Sequence, residues 1–186
     1  GFYKRQIFVF TPDTTKQQLL SYISDQSKLF VKPVDGSLGR DTFIVSSELD
    51  RDLLYDKLLE LKGNWLIEGA ITQSKDIADW NESSVNTVRI PSLRNNGEWH
   101  ILQPFFRTGR KGQIVDNAGA GGILCVVDEN TGVVITDGYD ENQNVYVKHP
   151  DSELIYKGWK IPRWQELISL TNEIHTTLPE SFKYVG

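Results

Sequence analysis

At 186 residues, 39% hydrophobic and 24% charged, the chain is long enough to bury a sizeable core and too apolar to stay disordered, so a soluble globular protein of one domain or two small lobes is expected. A net charge of −5 and a pI near 5.2 argue against nucleic acid or anionic membrane as principal partner, and no apolar run approaches membrane-spanning length. The single cysteine, Cys125, rules out an internal disulfide and lies in the apolar run Ile123 to Val127, where a small core residue is expected rather than a nucleophile.

Taken in chain order, Ile7 to Phe10 reads as a short strand, and Asp13 or Thr14 as the cap of a helix carrying Leu19, Leu20 and Ile23. Leu29 to Lys32 and Phe43 to Val45 are strands around the turn Pro33-Val34-Asp35-Gly36-Ser37-Leu38-Gly39. Ser47 is placed to cap a helix with Leu49, Leu53, Leu54, Leu58 and Leu61 on one face, ended by Gly63. Asn64 to Ile71 reads as a strand, as do Val85 to Leu93 and Trp99 to Phe106, the last two joined by the hairpin turn Asn95-Asn96-Gly97. Gly122 to Asp128 and Val133 to Thr136 form a second hairpin through Asn130-Thr131-Gly132, and a final helix with Pro162 in its first turn presents Trp164, Leu167, Ile168, Thr171, Ile174 and Leu178 to a core. Helices and hairpins alternate without a regular βαβ rhythm, so the fold class expected is α+β with largely antiparallel sheets.

Four segments carry chemistry. A strand ending on Lys32 beside a glycine turn can set one ammonium and several bare N–H groups against a polyphosphate, as a flap rather than the helix-end cradle of a P-loop. In Leu66-Ile67-Glu68-Gly69-Ala70-Ile71 an apolar strand runs into small residues whose backbone edges suit a purine, with the Glu68 carboxylate in reach of a ribose. Along Ser84-Val85-Asn86-Thr87-Val88-Arg89, strand alternation sets Thr87 and Arg89 on one face and Asn86 on the other. Arg107, Arg110 and Lys111, followed by Asp116-Asn117 and the glycines Gly119, Gly121 and Gly122, make a candidate anion nest, within which Arg110 and Lys111 are expected to be solvated at a hairpin tip. His100, His149 and His175 are too scattered for a zinc site.

These segments, in this order, resemble the ATP-grasp superfamily, most closely its sugar-transfer-associated, hexapeptide-transferase-like family. The resemblance extends through Gly158-Trp159-Lys160-Ile161-Pro162 to Tyr184-Val185-Gly186. It implies an ATP-grasp-type fold of two α+β lobes: residues 1–71 as the nucleotide-binding lobe with flap and hinge, 72–186 as a second lobe, incomplete at its C-terminal end. It further implies that Lys32, Gly36, Ser37, Gly39, Glu68, Gly69, Ala70 and Ile71 bind ATP, that Arg89, Arg107 and Asn117 are catalytic, and that Asn86, Gly121 and Gly122 meet phosphate or substrate. The expected cofactors are ATP and magnesium, with the metal's carboxylate ligands lying beyond Gly186. Opening on glycine and lacking methionine fits an excised domain, for which self-association through the truncated end is a further expectation. The implied activity is an ATP-dependent carboxylate–amine or similar ligase acting through an acyl phosphate on a small carboxylate or sugar-linked substrate, in the bacterial cytoplasm and in surface polysaccharide biosynthesis. A non-catalytic nucleotide-binding or scaffold module and a phosphotransferase are the alternatives.

Overall fold

The structure, a computed structural model, describes residues 7–36, 41–46 and 48–186. The chain folds into two compact units that divide between Thr72 and Gln73.

In the first unit, β1 (Ile7–Phe10), α1 (Lys16–Ile23), β2 (Leu29–Pro33), β3 (Phe43–Val45), α2 (Glu48–Leu61) and β4 (Trp65–Gly69) follow one another, and the strands form one antiparallel sheet in the order β1-β4-β2-β3. Register sets Val31 opposite Ile67, Lys32 opposite Leu66 and Phe30 opposite Glu68. Since side chains alternate, Leu29, Val31, Trp65 and Ile67 share the face that packs with Leu19, Ile23, Leu54 and Leu58 of the helices. Phe30, Lys32, Leu66 and Glu68 share the other face, on which Ile7 and Val9 are exposed.

Two details of this unit differ from expectation. The cap of α1 is Thr15, in a capping box with Gln18, because the Thr14 hydroxyl is occupied by the Thr11 N–H at 2.8 Å, closing the preceding turn. In α2 only Leu54 and Leu58 are buried, while Leu49 and Leu53 are 68% and 54% exposed and Leu61 is exposed too. At 3.6 residues per turn, Leu49 and Leu53 lie about 140° around the helix from Leu54 and Leu58, so the leucines make two stripes rather than one. Ser47, the expected cap, lies outside the described residues.

The second unit holds α3 (Lys75–Ala78), β5 (Thr87–Arg89), β6 (Ser92–Asn95), β7 (Glu98–Ile101), β8 (Phe105–Thr108), a 3-10 turn (Ala118–Ala120), β9 (Ile123–Val126), β10 (Gly138–Tyr139), β11 (Val145–Tyr146), α4 (Trp164–Thr177) and β12 (Tyr184–Val185). They form a five-stranded antiparallel sheet, β11-β10-β9-β8-β5, and a three-stranded one, β12-β6-β7. Each of the two long strands expected here is broken at a proline, Pro91 between β5 and β6 and Pro104 between β7 and β8. Proline has no N–H for a ladder, so the chain leaves one sheet there and enters the other, and the Asn96-Gly97 turn belongs to the small sheet. The strand Ile123–Val126 is flanked on both sides, by β8 and β10.

The core of this unit is aromatic. Trp80 stacks on Tyr156 at 4.7 Å and meets the edges of Phe106 and Trp159, with Ile123, Cys125 and Trp164 buried in the same cluster. Helix α4 starts after Arg163, which takes a left-handed conformation, so Pro162 stands before the helix rather than in its first turn. Trp164 and His175 are its buried residues, with Leu167 and Ile168 half-buried against the core.

Candidate functional site

The first unit brings Lys32 and Glu68 together on the open face of its sheet. Strand register makes them diagonal neighbours, and Lys32 Nζ donates to Glu68 Oε1 at 2.9 Å. The glutamate side chain is 6% exposed and that of the lysine 38%, so the carboxylate is held inside while the lysine side chain stays partly in water. Phe30 and Leu66, half-buried on the same face, give apolar surface beside this charge. Beyond Lys32 the chain turns on Gly36, whose N–H bonds to Pro33 O and at which a Cβ would meet Pro33 Cγ at 2.5 Å. Ser37 and Gly39 lie outside the described residues. Gly69 ends β4, the Ala70 N–H is taken by Lys28 O at 2.8 Å, and Ile71 is exposed.

In the second unit, β5 and β8 place Thr87 opposite Arg107 and Arg89 opposite Phe105, so both arginines lie on one face, away from Phe106 and the core. The Arg107 Nε–H donates to Thr87 Oγ1 at 2.9 Å, and the Thr87 hydroxyl passes its own hydrogen to Asp116 Oδ2 at 2.5 Å. The same carboxylate oxygen is 3.4 Å from Arg107 Nε. Arg89 is exposed and donates to Gly186 O at 3.4 Å. Asn117, half-buried, opens the 3-10 turn, with its backbone carbonyl accepting from the N–H groups of Ala120 and Gly122. This loop explains its glycines: Gly121 has φ +81, and a Cβ on Gly122 would meet Asp116 O at 2.1 Å. They let the chain double back so that Asp116 lies beneath Arg107.

Asn86 is differently engaged. Its buried amide donates to Gln73 Oε1, Ile77 O and Asn81 O, and accepts from the Gly109 N–H at 3.1 Å, which fixes the end of β8 just past Arg107. His149 holds the carbonyl of Gly109 from the other side through Nε2 at 2.9 Å, while its Nδ1 accepts from the N–H groups of Asp151 and Ser152. The ring is therefore the neutral Nε2–H tautomer, and burial pushes its pKa down. Arg110, expected to be solvated, is instead clamped to Asp151 at 2.8 and 3.2 Å, and this hydrogen bonding holds the Asp151 carboxyl at a pKa of about 2. A loop tip reads as solvated when the acidic partner lies 41 positions further on, as Asp151 does.

Sequence reasoning did not single out Thr87 as a site residue. Its signal was the strand alternation that put it on the face of Arg89. For the magnesium implied by the resemblance, the described residues do not fit: no three of their His, Cys, Asp or Glu side chains are grouped to hold a metal ion, and Asp116 is committed to Thr87 and Arg107. An open groove of about 510 Å³ in this unit, lined by residues that include Asp76, Trp159, Pro162 and Trp164, contains none of the expected site residues.

Each unit is α+β with antiparallel sheets and presents basic side chains from an open sheet face. The chain belongs to the sugar-transfer associated ATP-grasp family, whose sequence profile matches residues 4–186. No curated protein matches it in sequence. Among solved structures it is similar to D-alanyl-alanine synthetase A from Vibrio cholerae, with 14% identity, a TM-score of 0.41, and coverage of 58% of this chain and 29% of that one. It is also similar to the D-alanine-D-alanine ligase from Coxiella burnetii, with 14% identity, a TM-score of 0.38, and coverage of 93% of this chain and 57% of that one. The chain thus spans less than two thirds of the length of either. No helix among its described residues is long and apolar enough to cross a membrane.

Proposed function

We propose that this chain binds ATP and serves an ATP-dependent ligase that activates a small carboxylate, or a sugar-linked one, as an acyl phosphate for attack by an amine or similar nucleophile. The observation that carries the reading is the Lys32–Glu68 pair: a half-exposed ammonium beside apolar surface at the end of β2, in a chain of an ATP-grasp family. In the first unit Lys32 meets the α/β-phosphates, Gly36 to Gly39 close over them, and residues Glu68 to Ile71 hold adenine and ribose. In the second, Arg89, Arg107 and Asn117 face the γ-phosphate or the acyl group that receives it, where fixed positive charge stabilises transfer. Gly121 and Gly122 meet phosphate or substrate there, and Asn86 holds the end of β8 beside them through its side-chain amide. The family's description points to sugar transfer, and we place the reaction in bacterial surface polysaccharide assembly, in the cytoplasm.

The test is release of ADP from MgATP against a panel of carboxylates paired with amines, preceded by calorimetric titration with MgATP and MgADP. Acceptor-dependent ADP release supports the ligase. Nucleotide binding without such release, under any pairing, refutes it in favour of a nucleotide-binding module, and release of ADP with a phosphorylated acceptor and no ligation makes it a phosphotransferase.

A further inference from the structure

We infer that Asp116 and Thr87 are positioning residues that fix the Arg107 guanidinium so that its two terminal nitrogens meet the terminal phosphoryl group of bound ATP; this rests on the nucleotide reading above. A guanidinium is a rigid planar fork with five N–H donors, and its tightest use in a purely structural pair is a fork-to-fork bond with a carboxylate. Here the carboxylate does not take the fork. Asp116 meets the Nε side, chiefly through the Thr87 hydroxyl, which accepts from Arg107 and donates to Asp116. Among the described residues nothing accepts a hydrogen bond from either terminal nitrogen, and the side chain is 27% exposed on the open sheet face. A buried anion thus holds the Nε side of the arginine and, among the described residues, leaves its terminal nitrogens without an acceptor.

The same geometry gives the loop its shape. Residues Gly121 and Gly122 turn the chain so closely that a Cβ on Gly122 would overlap the Asp116 carbonyl, and Asp116 is thereby buried beneath the sheet face. Its Oδ2 accepts from the Thr87 hydroxyl and lies 3.4 Å from Arg107 Nε, so that oxygen serves the arginine. Arg89, the diagonal neighbour of Arg107 across β5 and β8, adds a second guanidinium to this face. Two cations suit the multiply charged end of a nucleoside triphosphate better than a single carboxylate.

The experiment measures dissociation constants for MgATP and MgADP on the unmodified protein and on Asp116→Asn, Thr87→Val and Thr87→Ser. Asp116→Asn and Thr87→Val should each weaken MgATP about 10-fold and change MgADP less than about 2-fold, while Thr87→Ser, which keeps the hydroxyl, stays within about 2-fold of the unmodified protein for both. Valine preserves the shape of threonine, so a site that only packs would tolerate it and would not distinguish the two nucleotides; it also decides the matter if Asp116→Asn fails to fold. Unchanged MgATP binding in Thr87→Val overturns the inference, as does an equal loss of MgATP and MgADP. Failure of the unmodified protein to bind either nucleotide overturns the functional reading itself, an outcome visible before any variant is made.

Discussion

Replacing Lys32 with methionine removes the ammonium and keeps the length of the side chain, leaving the Glu68 carboxylate, 6% exposed, without this cation. A hydrogen bond to a charged group contributes about 1.5–3 kcal/mol, but Lys32 is more than a third exposed and water screens its charge, so a stability loss of about 1–2 kcal/mol is expected. Glu68→Gln should cost about as much. The double variant should cost less than the sum by about 1–2 kcal/mol, because each single change has already removed the same interaction. Denaturant unfolding followed through the site-resolved NMR signal of fluorotryptophan at Trp65, the sole tryptophan among residues 1–72, reads this unit separately from the four tryptophans of the other. MgATP affinity should fall about 10-fold or more in Lys32→Met, which is about 1.4 kcal/mol. Strict additivity of the two substitutions would refute the pairing, and undiminished MgATP affinity in Lys32→Met would refute the phosphate assignment even with the pairing intact.

Trp164→Ala removes a ring that is 2% exposed, packed in the aromatic core and bonded to Glu129 O at 3.1 Å; a loss of about 3–5 kcal/mol is expected, and a denaturation midpoint equal to that of the unmodified protein would contradict it. His149 and His175 both have folded pKa values below the ordinary 6.5, through burial first in each case, with Arg94 adding to it at His175. Their neutral forms therefore favour the fold: that stability is complete above pH 6.5 and drains away as pH falls through 6.5 toward the folded values, seen as a falling melting temperature between pH 7.5 and 5. His175→Phe keeps the stack on Trp99 and removes a buried nitrogen that has no hydrogen-bond partner among the described residues, so it should flatten that slope without lowering stability at pH 7.5; a steeper slope would count against this account. Cys125, whose thiol is pushed up to about 12 by burial, should resist alkylation in the native protein and react on unfolding, and rapid native labelling would show that this core opens.

Where the sequence was legible and where it was not divides along one physical line: how far apart in the chain the deciding partners stand. The strands of the first unit, the Asn96-Gly97 turn and the burial of Cys125 follow from alternation and turn chemistry within a few residues, and each is present. The strand breaks at Pro91 and Pro104 were readable in principle, since a proline inside a long apolar run speaks against one continuous central strand. The two stripes of leucine on α2 were readable too, by counting 3.6 residues per turn through Leu49, Leu53, Leu54 and Leu58. No local pattern, by contrast, joins Lys32 to Glu68 across 36 positions, Thr87 to Asp116 across 29, or Arg110 to Asp151 across 41. In each of those pairs the side chain alone looks like a solvated or catalytic charge, and only the fold decides which. The outcome is different in the three cases. Arg110 spends Nε and a terminal nitrogen on both oxygens of Asp151, so its fork is consumed and it serves the scaffold. Lys32 gives Glu68 one hydrogen bond, and its side chain stays 38% exposed. Arg107, among the described residues, donates from Nε alone. What separates a structural cation from one available to a ligand is whether a carboxylate holds it by two parallel hydrogen bonds, as Asp151 holds Arg110, and by that measure Lys32 and Arg107 are where an anion should be sought.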